Sequence, residues 1–224
     1  MQRKPVIAID GPAGAGKSTV ARMVARRLGL LYVDTGAMYR AVTLAALRAG
    51  IDPEDEEALA ALAAGLAIEL VPAEDGTARV YLDGEDVTAA IRSPEVSRHV
   101  SAVARAAAVR EELVRRQKRM AADGGVVMEG RDIGTVVLPE ATAKFFLTAR
   151  EDVRAYRRYR EMRGRGYPAT LEEVCSEIRQ RDRSDSSREV GPLVCPRDAL
   201  ILDTTAMTPE EVVQAIVARV GEAR

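Results

Sequence analysis

Between an apolar run at 6–9 and a helix-forming stretch at 17–28 the chain carries Gly-Pro-Ala-Gly-Ala-Gly-Lys-Ser at 11–18, followed by Thr19. Few folds send a buried strand through glycines straight into a helix. Glycines let the backbone curl so that successive N–H groups face one concavity, and the partial positive charge of the helix start falls in the same place. That concavity suits a polyphosphate. Gly11, Pro12, Ala13, Gly14, Ala15, Gly16, Lys17, Ser18 and Thr19 are therefore the expected ATP-phosphate loop. Lys17 is placed to reach the β- and γ-phosphates, and the Ser18 hydroxyl is the expected protein contact to Mg²⁺.

The rest of the chain follows the rhythm this motif implies. Apolar runs at 6–9, 30–33, 126–128, 145–147 and 200–202 alternate with helical patterns at 17–28, 37–49, 151–163, 171–181 and 209–220. The runs are nearly continuous in apolar residues, as strands buried on both faces of a parallel sheet must be. Short β-like segments at 66–71, 78–82 and 86–87, separated by turn signals at 74–76 and 83–85, predict a small antiparallel insertion. An Ala- and Arg-rich stretch at 94–122 predicts one long helix. The expected plan is an α/β core built from 1–36, 123–150 and 167–224. An acceptor-binding insertion spans 37–122, and a helical lid spans 151–166.

Composition narrows the function. The chain of 224 residues has a net charge of −1, which gives no case for nucleic acid or an anionic membrane as partner. No apolar stretch is long enough to span a bilayer, and the N-terminus lacks a signal-peptide pattern, so a cytoplasmic monomer is expected. Cys175 and Cys195 show no disulfide or zinc spacing. Asparagine is absent throughout, which removes the guanine-reading Asn-Lys-x-Asp element of GTP-driven switches. Of 29 arginines, 11 lie between Arg150 and Arg188. Guanidinium forks hold phosphate oxygens well, although composition bias alone also enriches arginine. The remaining readings are a small-molecule kinase, for a nucleoside monophosphate, shikimate or gluconate, and a non-enzymatic nucleotide-binding regulator.

Further motifs select among these. Asp-Thr-Gly-Ala-Met-Tyr-Arg at 34–40 leaves the carboxyl end of the second apolar run, where open α/β sheets bind ligands. With GPAGAGKST, EGRDIGTVV at 129–137 and RQRDRSDSSR at 179–188, the whole chain resembles the bacterial cytidylate kinases. The resemblance implies a P-loop kinase fold with strand order 2-3-1-4-5 and a mobile lid. It implies that Thr35, Tyr39, Arg40 and Arg131 cradle a CMP phosphate. Ser101, Arg110 and Asp132 would read cytosine, and Arg181, Asp185 and Arg188 would hold sugar and phosphate. Lys17, Arg131 and Arg188 would stabilise the transferring group. The family often has Ser where this chain has Thr35, which keeps the hydroxyl and adds a methyl.

Chemistry supports a cytosine pocket on its own terms. Asp132 can accept from the N4 amino group, and Arg110 can donate to O2 or N3. Uracil would turn a lone pair towards the carboxylate. Such a mismatch costs about 1–3 kcal/mol, a preference of roughly ten- to a hundredfold for CMP over UMP. Ser101 and Arg110, nine residues apart, would face opposite sides of one helix, and Ala106–Ala108 carries no sign of a break. In the expected lid, Arg154, Arg157 and Arg158 are candidates to reach the transferred phosphoryl group. Gly164 and Gly166 could relax a hinge there. His99 is the only histidine, so histidine acid–base chemistry is not expected. The CMP phosphate is already an anion, and positioning plus charge stabilisation would suffice for its attack.

Overall fold

The computed structural model describes residues 4–73 and 76–222. The central sheet comprises β1 (Val6–Asp10), β2 (Leu31–Asp34), β6 (Val126–Gly130), β7 (Ala143–Thr148) and β8 (Leu200–Asp203). All neighbours pair in parallel, in the order β2-β6-β1-β7-β8. Counted among the core strands alone this is 2-3-1-4-5, the order that the resemblance implied. Helices cover both faces because both faces are apolar. Ile7 and Ile9 meet Val20 and Val24 of α1 (Lys17–Leu28) and Val213 and Ile216 of α8 (Pro209–Glu222). Ala8, Val33 and Met128 form the layer on the opposite face with Ile133 and Val137.

Between β2 and β6 the chain builds α2 (Thr35–Arg48), α3 (Glu56–Gly65), β3 (Ile68–Pro72), β4 (Ala78–Leu82) and β5 (Glu85–Asp86). The three strands form a separate antiparallel sheet in sequence order. Of the expected turn at 74–76, Glu74 and Asp75 lie outside the described residues. The turn at Asp83–Gly84 has positive φ at both positions, which pulls the two strands into a tight hairpin. Helix α3 was not among the expected elements; it starts at Asp55, whose side chain accepts from the Ala58 N–H.

The stretch expected as one helix is two: α4 (Pro94–Val103) and α5 (Ala107–Met120). Ala106 leaves the helical region, with ψ at 113°. The break has a tertiary cause. Arg105 is drawn to Glu54 at 2.7 Å and to the Ser184 hydroxyl at 3.4 Å, and Ala106 is buried. Beyond β7 come α6 (Glu151–Gly164) and α7 (Leu171–Ser186). Helix α7 runs to Ser186, past the expected end at 181, and opens with a reciprocal capping box between Thr170 and Glu173.

Candidate functional site

The donor loop leaves β1 at Gly11 and enters α1 at Lys17. Gly16 caps the helix with φ of 90°, a conformation that costs a side-chain residue dearly. Gly14 is required for a second reason: a Cβ there would lie 2.8 Å from the Arg154 carbonyl oxygen of α6. The Lys17 ammonium is buried and donates to the Pro12 carbonyl at 2.8 Å. Burial pushes its pKa down to about 7, and Arg131 and Arg181 push the same way.

The acceptor side gathers on the carboxyl ends of β2 and β6 and on α7. Asp34 caps α2 by accepting from the Ala37 N–H at 2.9 Å, and it holds Arg40 at 2.7 Å. Burial pushes this carboxyl up, but Arg40 and Arg92 outweigh it and leave it below the usual range. The Thr35 hydroxyl donates to the Glu129 carbonyl at 2.8 Å. Arg110 and Asp132 form a hydrogen-bonded ion pair, both almost wholly buried, and the Arg110 guanidinium stands 5.7 Å from the Tyr39 ring centroid. Burial raises Asp132 above the ordinary carboxylate range, with Arg110 and Arg188 opposing. The helix break lets Ser101, at the end of α4, and Arg110, in α5, both line this space.

Asp185, 1% exposed, is the hub of the arginine cluster. Arg131 donates to it at 2.7 Å, Arg188 is hydrogen-bonded to it, and Arg181 stands 4.0 Å away. Burial lowers Arg181 to about 10, aided by Arg131. The buried Nε atoms of Arg40, Arg110, Arg181 and Arg188 have no hydrogen-bond partner. A buried donor without a partner costs about 1–3 kcal/mol, so the arginine cluster is held together at a cost to the fold.

One cleft of about 980 Å³ joins both sides. Its walls include residues 13–19 of the donor loop, together with Thr35, Tyr39, Arg40, Ser101, Arg110, Arg131, Asp132, Arg181, Asp185 and Arg188. Of the three arginines singled out on α6, Arg157 and Arg158 also line it. Arg157 donates to the Thr204 carbonyl at 2.7 Å, and Arg158 reaches the Ser97 hydroxyl of α4 at 3.4 Å. Arg154 is buried beneath the donor loop instead, donating to the Ala13 carbonyl at 3.0 Å and to Asp182 at 2.5 Å.

Four acids had been given no role from the sequence. Asp10, at the end of β1, accepts from the Ile133 and Gly134 N–H groups at 2.8 and 2.7 Å and so fixes the turn that carries Arg131 and Asp132. Burial raises its pKa to about 6. Glu129, at the end of β6, accepts from the Tyr32 hydroxyl at 3.1 Å and has Ser18 close by. Burial and Asp34 raise it, against Lys17 and Ser18. Its signal was present: an acid closing the strand beside the one that feeds the phosphate loop. Asp34 had a local signal as well, an Asp at the N-cap of a helix with Ala37 and Arg40 close behind it, whereas Asp182 gave none, because its contact to Ala13 spans 169 residues.

Comparison with known proteins agrees with this geometry. A family profile described as Cytidylate kinase matches residues 7–222. A cytidylate kinase of Pelotomaculum thermopropionicum is 57% identical over 100% of this chain and 99% of its own length. One of Bacillus licheniformis is 53% identical over 96% of each. Among solved structures, a gluconokinase from Sinorhizobium meliloti superimposes with a TM-score of 0.50 at 16% identity, covering 99% of this chain and 94% of its own. That likeness speaks for the fold alone. With a match running from β1 to α8 and relatives above half identity along their full length, the chain belongs to the cytidylate kinase family.

Proposed function

We propose that the protein transfers the γ-phosphoryl group of ATP to CMP or dCMP, giving ADP and CDP or dCDP, with Mg²⁺ accompanying the donor. The observation that carries this reading is the buried Arg110–Asp132 pair in the same cleft as the glycine-rich loop and the Asp185 arginine cluster. The pair offers a donor and an acceptor to one edge of a base, and the cluster in the same cleft offers charge to a phosphate.

In this reading the loop N–H groups and Lys17 hold the donor phosphates. Arg40, Arg131, Arg181 and Arg188, which line the same cleft, hold the acceptor phosphate. Lys17, Arg131 and Arg188 then stabilise the charge that spreads over the transferring group. The attacking oxygen is already ionised, so no general base is required. Arg157 and Arg158, at the cleft wall, would close over the phosphates and limit attack by water. The Ser18 hydroxyl and the Glu129 carboxylate are hard oxygen donors beside the loop, and they suit a small divalent cation shared with nucleotide phosphates. Magnesium bound there would neutralise charge on the donor phosphates and hold them in line. Among the described residues no helix is long and apolar enough to cross a membrane. The two cysteines are unpaired thiols, in keeping with a reducing cytoplasm. We read the active unit as a monomer.

The test is ADP release from ATP and Mg²⁺ with CMP, dCMP, UMP, AMP or shikimate as sole acceptor. Fast turnover on CMP or dCMP, with UMP trailing, is expected. Release on AMP or shikimate instead would overturn the base pocket, and no release on any acceptor would overturn the transfer reaction.

A further inference from the structure

Ala13, in the middle of the donor loop, is held on both of its polar atoms. Its N–H donates to Asp182 Oδ1 at 3.2 Å. Its carbonyl accepts from Arg154 Nη1 at 3.0 Å. The same Arg154 nitrogen meets Asp182 Oδ2 at 2.5 Å, which closes a hydrogen-bonded ring around one residue. Arg154 is further fixed by its Nε, which donates to the Ala149 carbonyl at 3.0 Å, and is 7% exposed.

Peptide planarity turns this ring into an aiming device. In a trans peptide the carbonyl and the following N–H point to opposite sides. Fixing the Ala13 N–H on Asp182 therefore sends the Pro12 carbonyl the other way, and there it accepts from Lys17. Fixing the Ala13 carbonyl on Arg154 likewise sends the Gly14 N–H away from α6, to the side of the loop where a phosphate would lie. Asp182 is also an unusual neighbour for a triphosphate site, since its charge would repel the ligand. Arg154 offsets that charge, and the acid remains to orient the peptide.

We infer that Asp182 and Arg154 are positioning residues of the donor site, setting the direction of the Gly14 N–H and the resting place of Lys17. They touch no substrate themselves. Arg181 and Asp185 stand one turn apart on α7 with Arg188 just past its end, and Asp182 is turned roughly 100° from Arg181. One helix thus addresses the acceptor pocket with one face and the donor loop with the next.

This inference rests on residues 11–19 being the ATP loop, and the experiment separates the two. Steady-state KM values for ATP and for CMP, with kcat and the thermal midpoint, are measured for Asp182→Ala, Arg154→Lys and Lys17→Ala. Asp182→Ala is expected to raise KM for ATP roughly ten- to a hundredfold, the worth of a hydrogen bond to a charged group, with KM for CMP changed less than about twofold. Arg154→Lys keeps the charge but loses the fork, so it should move the same constant in the same direction by less. If Asp182→Ala fails to fold, the Arg154→Lys split decides. Equal rises in both KM values, or a lowered midpoint with both unchanged, would show a merely structural pair and overturn the inference. Unaltered ATP kinetics in Lys17→Ala would instead remove the donor-loop assignment on which it rests.

Discussion

At the scale of single residues the site is governed by charges kept from water. The Lys17 ammonium, lowered by burial to about 7, is half neutral near pH 7 and mostly neutral at slightly alkaline pH. Arriving phosphates favour the charged form, so ATP binding takes up a proton. The sign follows: the lysine pKa is lowered in the free protein and restored in the complex. ATP affinity should therefore fall as pH rises from about 7 to about 9. Titration calorimetry in buffers of different ionisation enthalpy should detect the uptake, and Lys17→Met should abolish it. Turnover in Lys17→Ala should drop by orders of magnitude in a protein that stays folded by circular dichroism. Asp132 offers a different readout. Asp132→Ala leaves Arg110 buried without its carboxylate and removes the acceptor proposed for the cytosine amino group. The CMP-to-UMP ratio of kcat/KM should then fall by roughly ten- to a hundredfold, with KM for ATP little changed. A constant ratio would take Asp132 out of the base pocket.

Among the elements, α7 is the most exposed to test at its start. Thr170 and Glu173 satisfy one another's backbone donors. Thr170→Ala should cost about 1 kcal/mol and lower the thermal midpoint by about 2–4 °C, with kinetics unchanged. A drop in activity beyond the loss of folded protein would mean that the cap also sets the helix's position. The elements divide clearly by how well the amino-acid order foretold them. The core strands were legible because burial on both faces demands unbroken apolar runs, and Ile7, Val127 and Leu147 are wholly buried. The break between α4 and α5 was not legible. Nothing in Val-Ala-Arg-Ala-Ala-Ala signals it, and the Arg105 contacts beside it are to Glu54 and Ser184, far away in sequence. Helix α3 was passed over because its alanines supply no sharp stripe. The pocket residues were legible as motifs, whereas Asp10 and Asp182 were not. Their partners are backbone N–H groups 123 or more residues away, and such pairing has no local pattern.

For the whole molecule, the cleft imposes a cost on the fold. Arg131, Arg181 and Arg188 crowd one buried carboxylate, and four buried Nε atoms lack partners. A bound nucleoside monophosphate would relieve both. At a hundred times its Kd, CMP should add about 2.7 kcal/mol and raise the thermal midpoint by roughly 5–10 °C. Arg188→Met should lose much of that shift while its own unliganded midpoint falls less than an ordinary buried-contact mutant, which scanning calorimetry can measure. The two-faced character of α7 reaches further, into how the gene can vary in length. Removing one codon upstream of Asp182 within the helix would rotate everything after it by roughly 100°. Arg183 would then take the bearing that Asp182 now holds, and a cation would meet the Ala13 N–H. Surface loops absorb such indels, but this helix has its register fixed twice within five residues, by Asp182 at the donor loop and by Arg181 and Asp185 at the acceptor pocket. Insertions and deletions in descendants of this chain should therefore collect before Thr170 and after Arg188, and spare the sixteen residues of α7.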